Sequence, residues 1–131
     1  IPKRSTKKSA GYDFHSLIDY ILKPGEIIKI PTGIKSSMNE DEVLMLYVRS
    51  SMGFKYNIRM CNQTGVIDSD YYNSDNEGHI MLALLNTGNE PLALPKGECV
   101  AQGIFYNYLV ADGDADSEKA VRGGGFGSTS K

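Results

Sequence analysis

The run Gly65 to Asn73 (GVIDSDYYN) combines a strand-borne acid with an aromatic residue three positions on. Gly65, Val66 and Ile67 lead into Asp68, and Tyr71 follows. A carboxylate delivered from an apolar strand is held at a fixed place, where it can act as a general base toward a positioned water. An aromatic ring beside it offers a flat face to a nucleobase or a sugar.

Four further segments carry candidate binding groups. Arg49-Ser50-Ser51-Met52-Gly53 follows a strand-like run and supplies one guanidinium and two hydroxyls at a turn. Arginine grips phosphate as a bidentate fork, although a serine-capped surface turn would read the same way. Ala10-Gly11-Tyr12-Asp13 places an acid just after a glycine, and Gln102 puts an amide inside the apolar run Cys99 to Phe105. A half-buried glutamine needs partners, which a backbone carbonyl or a ligand phosphate would supply. The tail Gly123-Gly124-Gly125-Phe126-Gly127-Ser128-Thr129 exposes successive backbone N–H groups to anions and adds two hydroxyls. It is not an ATPase phosphate loop, because no lysine follows Gly127. Two readings stay open for it: a disordered Gly/Ser tail, or a flap whose Arg122 and Phe126 close over a ligand. The acids of 112–118 alternate as in a calcium loop, but Ser117 and Gly123 stand where that loop needs glycine and glutamate.

The elements that must position these groups are strands. Glu26 to Ile30, Val43 to Val48, Ile58 to Cys61, Ile80 to Leu85 and Val100 to Tyr108 are short β-type runs separated by turn formers such as Pro24-Gly25 and Pro95-Lys96-Gly97. Ser51 to Tyr56 has room for one helical turn at most. Many short strands at near-regular spacing predict an all-β sandwich or barrel, jelly rolls included. After Tyr108 the composition turns acidic and small, which predicts a β-domain over 1–110, a flexible linker over 111–121 and a glycine-rich C-terminal segment over 122–131.

A chain of 131 residues suits one domain with a sizeable core. Its net charge of −2 argues against binding nucleic acid through a broad basic face, while a few converging arginines still suffice for a small anion. With two cysteines and two histidines and no CxxC, a zinc site is not expected; Cys61 and Cys99 read as reduced, half-buried thiols of a cytoplasmic protein. No apolar run approaches the roughly 20 residues of a membrane span, and no signal peptide is visible. Ile1 is not an initiator methionine, so the natural chain is expected to start earlier, with a first strand.

Together these segments resemble the trimeric dUTPase family, the deoxyuridine triphosphate nucleotidohydrolases. Its five motifs appear in order as AGYDF (10–14), RSSMG (49–53), GVIDSDYYN (65–73), KGECVAQ (96–102) and RGGGFGSTS (122–130). The resemblance implies a β jelly-roll homotrimer with active sites shared among its subunits, hydrolysing dUTP to dUMP and pyrophosphate with magnesium. Such an enzyme lowers dUTP and supplies dUMP for thymidylate synthesis. Asp68 would activate the water that attacks the α-phosphorus. Tyr71 would pack on the deoxyribose and leave no room for a 2′-hydroxyl. Uracil would be read by backbone groups of a hairpin running through Gly65, Val66, Ile67 and Asp68 and back near Met81, with Asn62 assisting. Arg49, Ser50, Ser51 and Gln102 would hold the phosphates, and Asp13 would support magnesium through water. Arg122, Phe126, Gly127, Ser128 and Thr129 would form a closing lid, with Phe126 on uracil and Arg122 near the γ-phosphate.

The chain departs from the family pattern at several places. Cys99 stands where the fourth motif usually has arginine, and Val48 replaces the usual proline before the second motif. Arg122 sits one residue nearer the lid phenylalanine. Asn73 replaces a glycine, and Asn73 to Glu77 reads as a small insertion. Two rivals remain. A dCTP deaminase shares the fold and an arginine-serine turn but needs a glutamate base against cytosine. A nucleotide-gated regulatory role would dock a protein partner on exposed segments such as 73–77 and 112–119.

Overall fold

The computed structural model describes residues 1–124. Among these residues are nine strands and one short α-helix: β1 (Tyr12–His15), β2 (Tyr20–Leu22), β3 (Ile27–Pro31), β4 (Glu42–Val48), α1 (Ser50–Tyr56), β5 (Ile58–Met60), β6 (Gly65–Asp68), β7 (Met81–Asn86), β8 (Leu92–Leu94) and β9 (Cys99–Asn107). They form three antiparallel sheets, ordered β1-β9-β4-β6, β3-β7-β5 and β2-β8. The all-β class expected from the strand spacing is the one observed, in keeping with the jelly roll that the resemblance implies.

Period-two burial explains how the sheets face one another. Leu44 and Leu46 point inward from β4, Ile28 and Ile30 from β3, and Leu82 and Leu84 from β7. Ile58, Met60, Leu22 and Leu94 complete a single core. The buried Asn86 stitches its edge: Nδ2 donates to the carbonyls of Leu22 and Glu90, each at 2.9 Å, and Oδ1 accepts from Gly88 N–H at 2.9 Å. A buried amide with all these partners fixes where β2 meets the β7–β8 turn.

Two sequence expectations need correction here. Seven residues rather than one turn form α1, because Met52 drops into the core at 3% exposure and Asn57, at φ 55°, closes the C-terminus on Met52 O. One buried side chain in seven leaves no amphipathic period to detect. Cys61 is exposed rather than half-buried, since it lies one residue beyond the inward-facing Met60. Beyond β9, Tyr108 N–H still bonds Asp41 O, and the acidic stretch holds only an exposed 3₁₀ turn at Asp114–Asp116.

Candidate active site

The strand ladder brings Asp13, Arg49 and Gln102 to one end of the four-stranded sheet. Asp13 on β1 lies opposite Gln102 on β9, which in turn lies opposite Tyr47 on β4. Arg49, just past β4, donates its N–H to Val100 O at 3.1 Å, and its Nη1 reaches Glu98 Oε1 at 3.4 Å. Ser50 and Ser51 open α1 beside it. Gly11 is glycine for a steric reason: any Cβ there would run into the Gln102 amide oxygen. Cys99 is half-buried among these groups. Burial pushes its thiol pKa up, the charge of Asp13 adds to the rise, and Arg49 works against it. The site there holds a neutral thiol where the family pattern has a cation.

Asp68 and Asp70 lie at the other end. β6 pairs with β4 so that Asp68 lies opposite Val43. The Asp68 side chain is 49% exposed, not buried as a strand-end acid among apolar neighbours would suggest, because β6 is an edge strand and ends there. Arg122 Nη2 meets Asp68 Oδ2 at 2.5 Å, and Arg122 Nε meets Asp70 Oδ1 at 2.6 Å. Its Nη1 also holds Gly124 O at 2.9 Å. The guanidinium expected near a γ-phosphate therefore sits, in the single chain, on two carboxylates. Sequence reading passed over Asp70 as a partner, although its place two residues after Asp68 was the available signal.

Tyr71 belongs to a 3₁₀ turn, Ser69–Asn73, and is 5% exposed within the core rather than standing free as a stacking platform. Its hydroxyl donates to His79 O at 2.6 Å and accepts from Asn76 Nδ2 at 2.7 Å. The expected hairpin from Val66 to Met81 is not a ladder: β6 pairs with β4, while β7 pairs with β3 and β5 in another sheet. Residues 69–80 bridge the two sheets with the 3₁₀ turn and a tight loop, which no two-residue hairpin turn could do. Asn62 and Met81 do come together, lining a cavity of about 500 Å³ with Lys29, Cys61, Leu82 and Ala83. Val66 is exposed on β6, and Gly65 packs where a Cβ would press on Leu46 at 3.0 Å. Phe126, Gly127, Ser128 and Thr129 lie outside the described residues.

The two groups are far apart on one chain. Val43, opposite Asp68, and Arg49 are separated by the length of β4. At about 3.3 Å per residue that is roughly 20 Å, longer than a triphosphate chain.

Comparisons with known proteins place the chain in one family. A dUTPase family model matches residues 1–130. The deoxyuridine 5′-triphosphate nucleotidohydrolase of Lactococcus lactis is 52% identical over 130 residues, covering 98% of this chain and 87% of that protein. The crystal structure of dUTPase from Streptococcus mutans superposes with a TM-score of 0.79 at 42% identity, covering 86% of this chain and 89% of that one. A mutant dUTPase from phage phi11 of S. aureus, described for its coordination of a structural Mg(II) ion, shares the fold at 22% identity and TM-score 0.74, covering 86% of each chain. The chain belongs to the dUTPase family and is a dUTP diphosphatase.

Proposed function

We propose that the chain hydrolyses dUTP to dUMP and pyrophosphate with Asp68 as general base, in sites that chains of a homotrimer build together. The placement of Asp68 carries the first part. It is a half-exposed carboxylate at the end of a paired strand, within reach of a water. A carboxylate so fixed takes a proton from that water as its oxygen attacks the α-phosphorus, and pyrophosphate leaves. The length of β4 supports the second part. Within one chain the backbone at Arg49 lies roughly 20 Å from the strand position opposite Asp68, whereas rotation about a symmetry axis can set the acid end of one chain against the arginine end of the next.

Within such a site each described residue has a plain task. Arg49 binds phosphate oxygens through its fork, with Ser50 and Ser51 adding hydroxyl donors and Gln102 an amide. Arg122, now on Asp68 and Asp70, exchanges those carboxylates for the incoming phosphates and so frees the base. Tyr71, gripped at its hydroxyl, gives a wall that admits a deoxyribose and refuses a 2′-hydroxyl. Asn62 and Met81 shape the cavity that takes uracil. The donor set near Arg49 fits magnesium: Asp13 offers one carboxylate, and that ion commonly binds through one or two carboxylates, its own waters and substrate phosphates. When bound, magnesium neutralises charge on the triphosphate.

A nucleotide panel tests the reading. With magnesium, dUTP is expected to be turned over at least about a hundredfold faster than UTP, dCTP or dTTP, releasing pyrophosphate and dUMP. Uridine nucleotide appearing from dCTP would instead make the chain a deaminase.

A further inference from the structure

The segment 73–77, read from sequence as an exposed insertion, turns one side inward. Ser74 is 6% exposed, and its hydroxyl accepts from Gly78 N–H at 3.2 Å and donates to Asn76 Oδ1 at 2.8 Å. Asn76 Nδ2 then donates to the Tyr71 hydroxyl at 2.7 Å, and that hydroxyl donates to His79 O at 2.6 Å. Each hydroxyl in this relay is donor once and acceptor once, so every link polarises the next. Gly78 closes the loop at φ +73°, where a Cβ would lie 2.6 Å from Tyr72 O. No other side chain fits at that point, and the carbonyl of His79 is thereby aimed back at Tyr71.

Without Asn76, the Tyr71 ring would keep one tether at its tip, the His79 carbonyl. One bond lets the buried ring shift as far as its packing allows; a second, from a different direction, narrows that shift. We propose that Asn76 is a specificity-determining positioning residue, which stiffens Tyr71 as the wall that rejects a ribose 2′-hydroxyl. The inference rests on Tyr71 facing the sugar. Rejection by a wall is a steric effect, and its strength depends on how little the wall yields. Loosening the ring is therefore expected to admit UTP more than it slows dUTP.

The experiment is a double-mutant cycle read on the ratio of kcat/KM for dUTP over UTP. Asn76→Ala is expected to lower that ratio about fivefold, the range of one net hydrogen bond. On a Tyr71→Phe background, which already lacks the hydroxyl, the same substitution is expected to change it less than about twofold. Asn76→Asp keeps the acceptor for Ser74 and the side-chain shape while removing the donor. It is expected to match Asn76→Ala, and it stands in if the alanine variant fails to fold. A ratio unchanged in the Asn76 variants, or an equal drop on both backgrounds, overturns the inference. An unsubstituted chain that uses dUTP and UTP alike would overturn the sugar-facing reading of Tyr71 itself, which is a separate and visible result.

Discussion

At one end of β4, Arg49 leans on Glu98 beside Asp13 and Gln102; at the other, Asp68 and Asp70 share Arg122. The arginine end is held by two neighbouring strand ladders and by the Arg49 N–H bond to Val100, so its geometry follows from the sheet. The acid end hangs on an edge strand with one neighbour, and its counter-charge arrives from more than 50 residues along the chain. Each end sets one arginine among two carboxylates, and two such groups the length of β4 apart suit a site that draws its phosphate grip and its reacting centre from different chains. What separates them in the monomer is the same strand that would align them in an assembly.

The largest break in this comparison comes from the acid end. Asp68→Asn keeps size and shape but cannot accept the proton, so kcat for dUTP is expected to fall about a thousandfold. Because the side chain is half exposed, the melting temperature should barely move. A variant that keeps most of its turnover would remove Asp68 from the chemistry.

The next test asks whether the two ends meet across chains. Arg49→Ala is expected to weaken turnover severely, since it removes the fork that binds phosphate. Denaturing it together with Asp68→Asn and refolding the mixture makes trimers carrying both. Random assembly then gives about one site in four with an intact acid from one chain and an intact arginine from another. Recovery to about a quarter of the unsubstituted rate is the expected result. No recovery would mean that each chain supplies both groups to its own site.

The unequal legibility of the two ends has a physical cause. Half-buried strands such as Ile27–Pro31 and Met81–Asn86 announce themselves by alternation, and the motif residues Asp13, Arg49, Asp68, Tyr71 and Gln102 were visible as residue types. The strands Tyr20–Leu22 and Leu92–Leu94 are too short to show a period, and they are strands only because each pairs with the other. The pairing of β6 with β4 rather than with β7 could not be read locally, because the loop between β6 and β7 crosses from one sheet to another. The partners of the charged groups were hidden for the same reason. Glu98 on Arg49 and Arg122 on Asp68 are long-range contacts, invisible to spacing. Asn76 was counted as part of an exposed insertion because nothing in its neighbours marks it as the partner of Tyr71.

The smallest expected effect probes the arginine end through its cysteine. Cys61 is exposed, whereas Cys99 is half-buried with its pKa raised first by burial and then by Asp13. The thiolate is the reactive form, so a raised pKa leaves less of it at any pH below that pKa. With iodoacetamide near pH 7.5, Cys61 is expected to react about tenfold faster than Cys99, read by peptide mass spectrometry. As pH rises, Cys99 should gain rate over a range above that of an ordinary thiol. Asp13→Asn removes one contributor to the raised pKa and leaves burial in place, so it should speed Cys99 by only a few-fold. If that substitution changed nothing, Asp13 would not face Cys99 closely enough to share a site with Arg49 and Gln102. The arginine end would then be less compact than Asp13, Cys99 and Arg49 sharing one site.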